Sequence, residues 1–108
     1  MIYTKEQIRD AVIPVARKHN LKTVDLFGSY ARGTANENSD VDLFIDTDGS
    51  GILSLFDLGA VYCDFEEALG KSIDLITKSS FDQHPASPIE EDFRAAVNRE
   101  RMNLYAVA

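Results

Sequence analysis

A chain of 108 residues with 44% hydrophobic content is sized for one domain with a modest core. Its formal net charge of −7 argues against non-specific nucleic-acid binding, which needs a basic face, and no apolar run approaches the ~20 residues of a membrane span. The single cysteine, Cys63, excludes an internal disulfide, and the charged opening Met1–Asp10 shows no secretory signal, so a reducing cytoplasm is the expected setting.

Thr4-Lys5-Glu6-Gln7 reads as a capping box that opens a helix. Ile8, Ala11, Val12, Val15 and Ala16 recur on one helical face. Pro14 lacks the N–H that the helix needs there, and it is expected to kink the helix or restart it. Asn20 is the expected C-cap. His19 reads as a surface residue matched to the helix dipole. A first strand follows at Thr23–Phe27. Gly28-Ser29 then ends the apolar run, and a helix start is expected over Ser29–Arg32.

Gly33–Ser39 is a loop without apolar period. Val41–Asp46 is the second strand, and Thr47–Gly51 a turn cluster. A helix lies within Ile52–Leu69, with Leu55, Leu58, Tyr62, Phe65 and Leu69 as its core stripe and Gly70 as its stop. Cys63 on this helix is expected to be a buried or half-buried filler, and Asp64 to be solvated. Ser72–Thr77 is the third strand. Lys78–Pro85 is a loop that includes His84. Ser87-Pro88-Ile89-Glu90 opens a last helix, with Ser87 as N-cap, Pro88 at its first position, and Ile89, Phe93, Ala96 and Val97 as its apolar face. Met102–Val107 reads as a short final strand.

The residues that carry chemistry lie around the first two strands. In a strand, alternate side chains share a face, so Asp40, Asp42, Phe44 and Asp46 project together, opposite Val41, Leu43 and Ile45. Two carboxylates side by side raise each other's pKa unless a cation lies between them. Oxygen-only ligands favour a hard divalent ion such as Mg²⁺. Gly28 lets the backbone turn sharply and approach a ligand closely. The helix start beyond it would turn free N–H groups toward an anion. Ser29 adds a hydroxyl. Arg32 adds a forked cation, which either contacts phosphate or braces the loop through an acid. Asp74 is a lone acid inside the apolar run Ile73–Ile76, and two roles fit it: an exposed strand face, or a third carboxylate beside the pair. The upstream motif favours the second. A tight turn with surface acids would explain each residue singly, but not their joint order and spacing.

Gly28-Ser29, ten intervening residues, then Asp40-x-Asp42 resembles the signature of the DNA polymerase β-type nucleotidyltransferase superfamily. The fuller string from Gly28-Ser29 through Ala31-Arg32-Gly33 to Ser39-Asp40-x-Asp42-Leu43 resembles the minimal nucleotidyltransferases (MNT), which are usually paired with HEPN-domain proteins. The resemblance implies an α/β (α+β) nucleotidyltransferase fold, a short mixed sheet of three or four strands with helices packed on it. It also implies two Mg²⁺ ions held by Asp40, Asp42 and Asp74, and ATP as substrate, with Gly28, Ser29 and Arg32 binding its phosphates. Its implied partner is a HEPN toxin ribonuclease in a hetero-oligomer, neutralised by transfer of AMP to a tyrosine; a basic RNA-cutting partner would suit the acidic charge. Two other readings stand beside this one: a subunit modifying a small molecule such as an antibiotic, and a non-catalytic antitoxin that acts by binding alone.

Overall fold

The computed structural model describes residues 2–52, 54–79 and 88–107. The elements run α1 (Lys5–Lys18), β1 (Thr23–Phe27), α2 (Gly28–Arg32), β2 (Val41–Asp46), α3 (Leu55–Leu69), β3 (Ile73–Thr77), α4 (Pro88–Glu100) and β4 (Met102–Ala106). The strands form one mixed sheet in the order β3-β2-β1-β4. β1 runs antiparallel to both β2 and β4, and β2 pairs in parallel with β3. Parallel neighbours need a long crossover, and α3 supplies it. The expected mixed sheet with packed helices is therefore present. The strands differ from their expected limits only at the ends: Ser72 lies before β3 and Val107 after β4.

α1 opens with both halves of the capping box: the Gln7 N–H donates to the Thr4 hydroxyl at 3.1 Å, and the Thr4 N–H donates to Gln7 Oε1 at 2.8 Å. The helix runs unbroken through Pro14, against the expected kink or restart. Pro14 sits on the solvent side, so the carbonyl of Asp10, deprived of its donor, faces water rather than core. The cap also differs from expectation. His19 is the C-cap, and Asn20 follows it with φ +56°. The Leu21 N–H donates to the Ala16 carbonyl at 2.9 Å and the Asn20 N–H to Arg17 at 3.2 Å. That pattern is a Schellman motif, with buried Leu21 as its apolar anchor.

The two sheet faces bury different sets. Val24, Leu26, Val41, Leu43 and Ile45 face α1 and α3, where Ile8, Val12, Val61, Phe65 and Leu69 are fully or almost fully buried. On the other face, Phe27 and Phe44 pack with Val97 of α4, and Ile76 adjoins them. The period of two in β2 is thus realised, with Phe44 on the α4 side. α3 departs from its expected stripe. Leu55 stays 85% exposed, and Val61 takes the buried row with Phe65 and Leu69. Phe56 is exposed as well, and Leu58 is the first residue of α3 that packs against the core. Cys63 is exposed rather than a filler, since it lies two residues round the helix from Val61 and Phe65. Gly70 stops the helix as expected, with φ +63°. Ser87 and His84 lie outside the described residues, but α4 does begin at Pro88.

His19 and Asp64 also differ from their surface readings. His19 Nε2 lies 2.7 Å from Asp64 Oδ2, and Lys18 Nζ lies 3.0 Å from the same oxygen. Packing α1 against α3 brings these three together, though 45 residues separate His19 from Asp64. The Tyr3 hydroxyl donates to the Leu69 carbonyl, tying the chain start to the end of α3. The Tyr62 hydroxyl donates to the Ile73 carbonyl at 3.2 Å and fixes the entry of β3, one residue before Asp74.

Candidate active site

The sheet register assembles the acids. Asp42 pairs across to Phe27 on β1 and to Asp74 on β3. Directly paired residues on neighbouring strands put their side chains on the same face, about 5 Å apart. Asp74 is exposed, and its carboxyl lies within hydrogen-bonding reach of that of Asp42. Asp40 stands two residues before Asp42, exposed at the end of the loop. Asp74 thus lies on an exposed strand face and beside Asp42 at once.

Burial pushes the Asp42 carboxyl up to about 7, helped by its hydrogen bond to Asp74 and by the charges of Asp74 and Asp40, while the charge of Arg32 opposes the rise. A carboxyl in that position keeps a proton for want of positive charge. Among the described residues no three His, Cys, Asp or Glu side chains are already gathered as a coordination sphere. The donor set still fits a hard divalent ion: it is all oxygen and on one face, and it is short of a cation.

The turn between β1 and β2 is built around Asp42. Gly28 has φ +74°, and a Cβ at that position would overlap the Asp42 carboxylate. α2 is only five residues long, so its dipole is small; its N-cap is Phe27, which has no side-chain cap to offer the first N–H groups. The expectation of a dipole-driven cradle is thereby corrected to one of close backbone approach at Gly28 and Ser29. Ser29 is partly exposed, and its carbonyl accepts from the N–H of Thr34 at 2.9 Å, closing the turn.

The loop that delivers Asp40 is held by its own side chains. The Asn36 N–H donates to Ser39 Oγ at 2.9 Å and the Asn38 N–H to Asn36 Oδ1 at 2.8 Å. Lys71 Nζ, just past α3, donates to the Glu37 carbonyl at 2.8 Å and sits 6.0 Å above the Tyr30 ring. Arg32 takes the bracing role of its two: its Nη1 lies 2.9 Å from Glu100 Oε2 at the end of α4.

A cleft of about 440 Å³ joins Gly28 and Arg32 to Asp42 and Asp74, with Ser29 and Asp40 outside its lining. Gly28, Arg32, Asp42, Asp74 and Glu100 give its polar side, and Leu75, Ile76, Phe93, Ala96 and Val97 its apolar wall. The sequence reading missed Glu100 and Lys71 as site supports, and Phe93, placed on the apolar face of the last helix, is 50% exposed. Charged residues on an amphipathic helix look alike in sequence, so no local signal separates Glu100 from its neighbours. A larger cleft, about 540 Å³, lies at the opposite end of the sheet beside Arg17, Lys22 and Tyr105. It touches none of the motif residues.

An acid pair beside a glycine turn, with a third acid on the parallel neighbour strand, is an arrangement suited to phosphoryl-transfer chemistry. The nucleotidyltransferase domain family matches residues 7–97, and the chain belongs to that family and is a nucleotidyltransferase. A Methanocaldococcus jannaschii protein named as a candidate protein adenylyltransferase is 40% identical over 79 residues, 73% of this chain and 81% of that one. Protein adenylyltransferase MntA of Thermococcus cleftensis is 38% identical over 63 residues, covering 58% of this chain and 62% of the relative. Among solved structures, a minimal nucleotidyltransferase superposes with TM-score 0.66 at 28% identity, over 93% of this chain and 95% of that one. The fold is shared also with a toxin–antitoxin structure holding AMP-PNP, at TM-score 0.66 and 23% identity over 92% of this chain and 73% of the other. A complex of tri-AMPylated Shewanella oneidensis HEPN toxin with MNT antitoxin matches at TM-score 0.63 and 19% identity, over 96% of this chain and 74% of the other.

Proposed function

We propose that this chain is a Mg²⁺-dependent protein adenylyltransferase that acts as an antitoxin, moving AMP from ATP to a tyrosine of a HEPN-domain toxin ribonuclease. The observation that carries the reading is the register Asp42↔Asp74 between β2 and β3, with Asp40 two residues upstream and Gly28 closed over Asp42. The names of the relatives support the protein as acceptor, and the AMP-PNP and AMPylated-toxin structures support ATP and a HEPN partner.

In this reading Asp40, Asp42 and Asp74 hold two Mg²⁺ ions. When bound, Mg²⁺ supplies charge neutralisation at the triphosphate and a more acidic acceptor hydroxyl. The backbone N–H groups at Gly28 and Ser29, with the Ser29 hydroxyl, bind the β- and γ-phosphates. Asp74, the most open of the strand acids, accepts the phenol proton as general base. The tyrosine oxygen then bonds to the α-phosphorus, the bond from that phosphorus to the bridging oxygen breaks, and pyrophosphate leaves. The described elements are all used in the sheet and its cover, so the acceptor surface comes from the partner chain. Transfer needs no nucleic acid, and an exposed free thiol at Cys63 suits a reducing cytoplasm. Among the described residues no helix is long and apolar enough to cross a membrane.

Incubation with α-labelled ATP, CTP, GTP and UTP, Mg²⁺ and the toxin encoded beside it tests the reading. Label is expected on a toxin tyrosine, from ATP, and lost in the Asp40→Asn, Asp42→Asn double variant. A partner that binds tightly and takes no label from any nucleotide would make this an occluding antitoxin; label on a small molecule instead would make it a modifying subunit.

A further inference from the structure

Among the described residues, the Arg32 side chain leaves the motif to pair with Glu100 at the end of α4, and that end of the helix is itself fixed with unusual redundancy. Glu100 closes α4, and its side chain is 21% exposed. The residue after it, Arg101, lies with its Nε 3.1 Å from Asp25 Oδ2 on β1, and its guanidinium stacks 4.5 Å from the centre of the Phe44 ring. Asn103 Nδ2 donates to the other Asp25 oxygen at 2.9 Å. One turn earlier, Val97 is buried between Phe27 and Phe44. The end of α4 therefore needs no help from Arg32 to stay in place, and an ion pair this open adds little to stability.

The consequence falls on Arg32 instead. It ends a five-residue helix, Gly33 follows it with φ +80°, and its side chain is 48% exposed. Without Glu100 a long side chain there samples many rotamers. Glu100 engages one terminal nitrogen, Nη1, and the rest of the planar fork has no partner among the described residues. Both residues line the cleft that contains Asp42 and Asp74.

We propose that Glu100 is a positioning residue: it holds Arg32 with the open side of its guanidinium toward the cleft, where it takes an anionic oxygen of the bound triphosphate. This rests on the nucleotidyl-transfer reading and adds to it a residue far outside the motif. It also gives the bracing and phosphate-contact roles of Arg32 to one geometry, one edge of the fork for each.

The test is binding of Mg²⁺–AMP-PNP, measured by calorimetry on wild type, Arg32→Ala, Glu100→Gln and the double variant, with melting curves for each. Arg32→Ala is expected to weaken binding about tenfold, the scale of a lost charge-assisted hydrogen bond to phosphate. Glu100→Gln is expected to show most of that weakening by itself, and the double variant to bind no worse than Arg32→Ala, because the two act as one unit. In transfer assays Glu100→Gln should raise KM for ATP more than it lowers kcat. A Glu100→Gln protein that binds like wild type, or a loss that adds to that of Arg32→Ala, overturns the inference and leaves the nucleotidyl-transfer reading standing. A wild-type protein that binds no nucleotide overturns that reading, and the inference with it. If Glu100→Gln does not fold, the Arg32 Nε–H resonance of wild type decides: it is expected to shift on adding Mg²⁺–AMP-PNP, and an unmoved signal overturns the proposal.

Discussion

Gly28 is the most tightly constrained of the glycines. Its φ of +74° is a region that L side chains rarely adopt, and the Asp42 carboxylate occupies the space of a Cβ. Gly28→Ala must move either the turn or the acid. It is expected to cost about 1–3 kcal/mol of stability, the range of a strained backbone position, read from urea midpoints, and to abolish nucleotide binding. An alanine variant that keeps wild-type stability and binding would show that the turn is not packed on Asp42. The glycine, the serine and the acid pair could be picked out as candidates from the sequence, because their proximity depends on short spacing along one strand–turn–strand unit. Asp74 was half legible. An acid in an apolar run asks for a reason, but only the register of β2 against β3 supplies Asp42 as that reason.

At the scale of elements, α1 and α3 are tied by charge as well as by packing. The hydrogen bond from His19, and then that from Lys18, hold the Asp64 carboxyl below the usual carboxylate range. A carboxyl whose folded pKa is depressed contributes stability that is present above its unfolded value and is lost as pH falls through the folded one. The loss therefore falls below about pH 4, the unfolded value of an aspartate. Asp64→Asn should lower the urea midpoint at pH 6, with the gap to wild type narrowing toward pH 3; a gap that stays constant with pH would place the effect in packing. The element limits themselves were well legible, since capping boxes, glycine stops and period-two strands are local signals. Two errors have a common origin. Pro14 was read against an ideal helix rather than one with a wet face, and Leu55 was read as core because a stripe in sequence does not say where the neighbouring helix ends.

For the whole molecule, one cleft joins Asp42 and Asp74 to the Gly28 turn and α4. The chain alone is expected to bind Mg²⁺–ATP, with Kd rising when Mg²⁺ is chelated, and yet to release almost no pyrophosphate until its partner is added. Brisk release by the isolated chain would mean that water or its own residues serve as acceptor. With a net charge of −7, association with a basic partner should weaken as salt rises from 50 to 500 mM, on the Debye screening of exposed charges.

The family and the described strands and helices were readable along the chain, and Gly28, Ser29, Asp40 and Asp42 stood out there as the candidate site, because each of these is written in residues a few positions apart. Tertiary structure alone decided that Asp74 stands against Asp42, that Glu100 grips Arg32 across 68 positions, and that Lys71 steadies the loop before Asp40. Those pairs come from sheet register and helix packing. Such contacts are set by the free energy of the assembled core, so no local pattern along the chain encodes them.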